Sequence, residues 1–105
     1  MADEKHIRVE EDGQLVAQAS VSVSPDDSSA RASVRMAAGQ LPAGSRQKVV
    51  DAVHDTVADD HGRHLTTTVP LGDSELVEKM RDRLDDVELR AAGATSIIEG
   101  DLRDS

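Results

Sequence analysis

Residues 15–23 alternate strictly. Leu15, Ala17, Ala19, Val21 and Val23 share one parity, while Val16, Gln18, Ser20, Ser22 and Ser24 share the other. A two-residue period with apolar and polar faces is a half-buried β-strand. Ile7 and Val9, alternating with Arg8 and Glu10, predict a shorter strand before it, and Glu11-Asp12-Gly13 supplies the Asp-Gly hairpin signal between the two. Pro25-Asp26-Asp27-Ser28 reads as a second turn. A third strand follows with Ala30, Ala32, Val34, Met36 and Ala38 inward and Ser29, Arg31, Ser33 and Arg35 outward. Three such strands in meander predict a sheet with one open polar face.

The glycines and proline between Gly39 and Gly44 interrupt this pattern, and the period then becomes helical. Ser45 is the predicted N-cap. Val49, Val50, Val53, Val57 and Ala58 form an apolar stripe opposed by Asp51, Asp55 and Asp59, and Gly62 is the predicted stop. Leu65, Thr67 and Val69 predict a fourth strand. Asp73-Ser74 caps a second helix with the stripe Leu76, Val77, Met80 and Leu84, and Glu75 suits its first turn. Val87 and Leu89 begin a fifth strand, Ala92-Gly93 turns it, and Thr95 to Glu99 returns as a sixth. Residues 100–105 read as an acidic, frayed tail. The predicted class is α+β: one domain over residues 1–105, ordered from about residue 5 to about residue 100. Its order is β-β-β-α-β-α-β-β, with a mostly antiparallel sheet and both helices on one face.

Composition narrows the chemistry. The 105 residues contain no Phe, Tyr, Trp or Cys. That removes a tyrosine acid, a cysteine nucleophile, thiolate metal ligands and any aromatic platform for bases. The core must be Val, Leu, Ile, Met and Ala, and a chain of this length buries roughly 65% of its unfolded surface. The net charge of −9 repels phosphate backbones and anionic membranes, so neither nucleic acid nor membrane is an expected partner. Asp exceeds Glu, Arg exceeds Lys and Asn is absent. This bias fits a GC-rich genome, with a salt-adapted surface as the alternative. Residues 1–10 are charged and lack the apolar centre of a signal peptide, which predicts a cytoplasmic protein.

The element order, with MAAGQLPAGSRQKVVDAV (residues 36–53) and TTTVPLGDSELVEKMRDRLDDVELRAAGATSIIEGDL (residues 66–102), resembles the second half of the GCN5-related N-acetyltransferase (GNAT) fold. The likeness covers about residues 5–102. In that family a meander leads into the loop and helix that bind acetyl-CoA. The family loop reads Arg or Gln, two residues, Gly, one residue, then Gly or Ala. Gln40, Ala43 and Ser45 occupy those places here. The resemblance therefore implies a cofactor-binding segment of Gln40, Ala43, Gly44, Ser45 and Arg46. Gly44 and Ser45 would offer backbone amides from a helix start, and Arg46 would offer charge.

Several positions depart from the family. Pro42 removes an amide donor, and Ala43 stands where Gly allows close approach. The tyrosine that family enzymes often use as general acid has no counterpart. The third strand carries no carboxylate to act as base, and the family's two amino-terminal helices have no equivalent. The resemblance thus implies a trimmed, degenerate and non-catalytic relative. It would have no resident cofactor, and acetyl-CoA would be a candidate ligand.

Other clusters read more plainly. His61 and His64 straddle a predicted helix end, where histidines suit the dipole, with His54 two turns earlier on roughly the same face, and no metal site is expected. Ser45, His54 and Asp55 follow no nucleophile-elbow pattern. Asp26-Asp27, Asp59-Asp60 and Asp85-Asp86 read as solvated turns and helix ends. Arg31 and Arg35, on the polar face of the third strand, suit an anion or a partner's carboxylate, or cross-strand pairs with residues such as Glu10. The alternative function is an interaction or regulatory module, a homodimer or protein-bound domain, using its Ser-rich sheet face or an edge strand.

Overall fold

The computed structural model describes residues 4–24, 26 and 28–103; Pro25 and Asp27 of the second predicted turn lie outside them, as do the two ends of the chain. The order is β1 (Glu4–Glu11), β2 (Gln14–Val23), β3 (Ser29–Met36), α1 (Ser45–Asp59), β4 (His64–Pro70), α2 (Ser74–Arg81), β5 (Leu84–Ala92) and β6 (Thr95–Leu102). The strands form one sheet in the order β1-β2-β3-β4-β6-β5. Only the β3–β4 pair is parallel. The α+β class and the element order are as the periodicity predicted. The position of β6 is not visible in that periodicity: β6 inserts between β4 and β5, filling the gap left by the α2 crossover.

Local chemistry explains the turns. Asp12 and Gly13 both take positive φ, 52° and 77°, as the tight hairpin between β1 and β2 requires. Along β2 the alternation fails once. Val9 pairs with Ala17, and Glu10 pairs with Leu15, so Val16 is the extra residue of a β-bulge. Val16, expected on the polar face, is therefore fully buried, whereas Leu15, expected inside, is half-exposed. One additional residue reverses the parity of everything before it.

Both helices cover the inner face. In α1, Val49, Val50, Val53 and Val57 are all fully buried, and each buried side chain of this size stabilises the fold by roughly 1.5–3 kcal/mol. Leu65, Val69, Leu76, Met80, Leu84 and Ile98 complete the centre, with Ala19, Val21, Ala30 and Ala32 flooring it. Four boundaries differ from expectation. Helix α2 stops at Arg81, so Leu84 starts β5 and remains buried from there. Ser45 is the first residue of α1, not its cap; Gly44 precedes it in the left-handed region, at φ 84°. At the other end His61, not Gly62, takes the left-handed conformation, at φ 63°. Its N–H reaches Ala58 at 3.0 Å, and that of Gly62 reaches Val57 at 2.8 Å. This is a Schellman closure. Gly62 is needed for space, since a Cβ there would stand 2.5 Å from Val57 Cγ1. Finally, residues 100–103 are ordered: Leu102 N–H donates to Arg63 O at 2.8 Å, and Gly100 is buried.

Candidate functional site at the carboxyl ends of the parallel strands

The topology brings the ends of four elements together. β3 and β4 run parallel, so their carboxyl ends point the same way, and each leads into the amino terminus of the next helix. In open sheets this end, outside the strand termini, is where ligands are usually held. Here the two strands also part. β3 pairs with β4 only from Ser29↔His64 to Ser33↔Thr68. β3 continues to pair with β2 as far as Met36, and β4 continues with β6 as far as Pro70. Val34 to Met36 and Val69 to Pro70 therefore border a wedge.

The loop from Gln40 to Arg46 closes the same end. Gln40, Ala43 and Gly44 are exposed. Ser45 is 1% exposed, and its hydroxyl donates to Pro42 O at 2.7 Å, with its N–H on the same oxygen at 3.2 Å. Pro42 thus turns its carbonyl into the loop and holds the first residue of α1. Lys48 N–H reaches Gly44 O at 3.0 Å, while the N–H groups of Arg46 and Gln47 find no acceptor among the described residues. Two free amides at a helix start carry partial positive charge.

The side chains around them are committed elsewhere. Arg46 Nε donates to both oxygens of Asp73, at 2.9 and 3.1 Å, and a second nitrogen lies 3.5 Å from Glu75. Its hydrogen bond to Asp73 holds the guanidinium pKa above its ordinary value, against a smaller opposing effect of burial. Asp73 in turn accepts from Leu76 N–H at 3.1 Å, capping α2 as its sequence position predicted. Lys48 pairs with Glu11 of β1. Of the implied segment, then, Gly44 and Ser45 form the helix start, and the Arg46 side chain ties two helix starts together. The missed participant is Asp73. Its capping role was legible, but its pairing with a residue 27 positions away was not.

The remaining candidates separate. His54 and His61 line one groove at the opposite end of α1, together with Arg63 and Arg103. His54 Nδ1 accepts from Arg83 at 2.9 Å, and burial, helped by the Arg83 charge, pushes its pKa down. His64 lies on the open face of the sheet. Its two nitrogens meet Asp101 at 2.8 Å and Glu99 at 2.7 Å, and these hydrogen bonds raise its pKa. Among the described residues no group of three or more His, Cys, Asp or Glu side chains is placed to hold a metal ion. Ser45 and His54 sit at different heights on α1, each with another partner. Arg31 and Arg35 do not meet Glu10. They stand opposite Ser22 and Gln18 of β2, the strand that separates β3 from β1, while Glu10 faces Leu15.

The architecture is shared with GNAT acetyltransferases of known structure. The ribosomal-protein-alanine N-acetyltransferase of Brucella melitensis superposes with a TM-score of 0.66 at 14% identity, covering 93% of this chain and 68% of its own. The GNAT domain of S. lividans PAT gives 0.67 at 12% identity, covering 95% of this chain and 61% of its own. A putative acetyltransferase from Salmonella typhimurium, solved with its cofactor acetyl-CoA, gives 0.64 at 12% identity, covering 93% and 63%. The chain thus has a GNAT-like fold and spans about two thirds of the length of these structures. No protein-family model and no curated protein sequence matches it. No helix among the described residues is long and apolar enough to cross a membrane.

Proposed function

We propose that this chain is a non-catalytic GNAT-like domain that binds an acyl-CoA, or a similar anion, weakly at the carboxyl ends of β3 and β4. One observation carries the reading: the parallel strands separate beyond Ser33 and Thr68, at the end of the sheet where the Arg46 and Gln47 amides are unpartnered. The Salmonella structure of the same fold supports it, since that protein holds acetyl-CoA as its cofactor. Weak binding follows from the charges at this end. Arg46 and Lys48 are already neutralised by Asp73 and Glu11, and Glu75 remains largely exposed at the rim. At the helix start a phosphate would meet two amides, and both cations there, Arg46 and Lys48, are committed. The absence of catalysis follows from residue types. The chain has no tyrosine or cysteine, and Asp73, the best-buried carboxylate at this end, is held by a guanidinium and a backbone amide.

The test is an NMR titration of the labelled protein with acetyl-CoA and with coenzyme A. Shifts confined to the amides of Gly44, Ser45, Arg46 and Gln47, saturating only at millimolar ligand, are expected, with no acetyl transfer to a panel of amines. No shift at those amides would overturn binding, and turnover of any amine would overturn the non-catalytic assignment.

A further inference from the structure

The helices occupy one side of the sheet, and the other side lies open across all six strands. Its middle row is nearly uncharged. Register places His6, Ser20, Ser33, Thr68 and Ile97 side by side, with Arg90 at the end. The charges sort to either flank. On the β1–β3 side, Arg8 and Arg35 both stand opposite Gln18, and Arg31 lies two outward pairs along, beyond Ser20 and Ser33, between Ser22 and Thr66. Arg31 and Arg35 form no ion pair among the described residues, and Arg8 only approaches Glu10, at 3.9 Å. On the β6–β5 side, carboxylates face each other directly: Glu99 opposite Glu88, and Asp101 opposite Asp85. Such like-charged cross-strand pairs disfavour the sheet that contains them. His64 and Arg103 offset three of these four acids, and Glu88 has no partner among the described residues. Glu4 and Glu10 dilute the basic flank and Arg90 the acidic one, but the sorting persists in a chain whose net charge is −9.

We propose that the open face is a homodimer interface, in which the Arg8–Arg31–Arg35 flank of one copy lies against the Glu88–Glu99–Asp101 flank of the other. A second copy fits because the two flanks belong to one surface. A two-fold axis in the plane of the face, running between them, sets each against its opposite and makes both contacts equivalent. The Ser- and Thr-rich middle permits close approach without burying a charge. Strands about 4.8 Å apart with two or three outward residues each give roughly 500 Å² per copy. That is at the low end for specific association, so the dimer is held largely by charge and is sensitive to salt. The inference does not rest on acyl-CoA binding at the start of α1, on the helix-covered side of the sheet, although Arg35 belongs to the stretch of β3 that borders the wedge.

Sedimentation equilibrium tests it, at low and at high ionic strength, with far-UV circular dichroism confirming that each variant folds. The wild-type chain should dimerise at low salt, with the dissociation constant rising at least tenfold at high salt. Arg35→Glu and Glu88→Arg change exposed side chains, and each alone should be monomeric. The two variants mixed should associate, and so should the double variant carrying both changes. Each copy then meets an opposite charge again. A wild-type chain that stays monomeric at low salt would overturn the proposal. So would a dimer that neither reversal weakens, as pairing of the β1 or β5 edges would give. Failure of both the mixture and the double variant to restore association would overturn the charge-matched arrangement.

Discussion

His64 and His54 respond to protons in opposite senses, and both responses follow from their contacts. His64 is held between Asp101 and Glu99, which favour its charged form and raise its pKa above the unfolded value of 6.5. A raised folded pKa means that the native state binds more protons than the unfolded state. This stabilisation is complete below pH 6.5 and is lost as pH rises through the higher folded value. His54 is desolvated and receives a hydrogen bond from Arg83, so its pKa falls below 6.5 and acidification favours unfolding. Replacing His64 with Gln should therefore lower the urea midpoint most at acidic pH, and the gap to wild type should close as pH rises above 6.5. Urea unfolding of both proteins across this range is the measurement. A gap independent of pH would mean that the imidazolium is not held by the two carboxylates. Neither behaviour was legible in the sequence, which places His61 and His64 about a helix end and His54 two turns before it. The helix turns His54 toward Arg83, and β4 carries His64 to the far side of the sheet.

Between elements, the contact of consequence is the one joining the two helix starts. Asp73 caps α2 through Leu76 N–H and also holds Arg46 at the start of α1. Its side chain is 12% exposed, so its interactions are only partly screened. A lost cap costs about 1 kcal/mol and a lost charged hydrogen bond about 1.5–3 kcal/mol, and the two overlap in one carboxylate. Asp73→Ala should therefore destabilise the fold by about 2–3 kcal/mol, and Asp73→Asn, which keeps a capping oxygen, by clearly less. Denaturant unfolding distinguishes them, and equal losses would show that the tie to Arg46 carries nothing beyond the cap. At this scale the sequence was read correctly where a signal is local. The Asp-Gly hairpin, the Asp73 cap and the valine stripe of α1 are all contained within a few residues. It was misread at Val16, because a bulge is decided by the strand alongside, and at Leu84, whose apolar side chain suits a helix stripe and a strand start equally.

For the whole molecule, the net charge of −9 acts on stability as well as on partners. The acids are crowded onto a small surface, and repulsion among them favours the expanded chain. Salt screens this repulsion over about 10 Å at 0.1 M and less as concentration rises. The thermal midpoint should therefore rise between low salt and about 1 M sodium chloride. It should be measured at dilutions where sedimentation shows a monomer, so that any loss of dimer does not enter. A midpoint that falls with salt would mean that the ion pairs, such as Arg46–Asp73 and His64–Asp101, outweigh the general repulsion.

The sequence by itself determined the elements and their order. It also determined an aliphatic core and a sheet wet on one side, because side-chain periodicity and turn chemistry are properties of neighbouring residues. It placed the loop from Gln40 to Arg46 at a helix start and carried the likeness to the GNAT fold. The tertiary structure alone decided where β6 inserts, that β3 and β4 separate beyond Ser33 and Thr68, and that Arg46 is bound to Asp73. It alone sorted the arginines of β1 and β3 from the acids of β5 and β6. Each of these is set by strand register and by contacts between residues far apart in the chain, which no local pattern encodes.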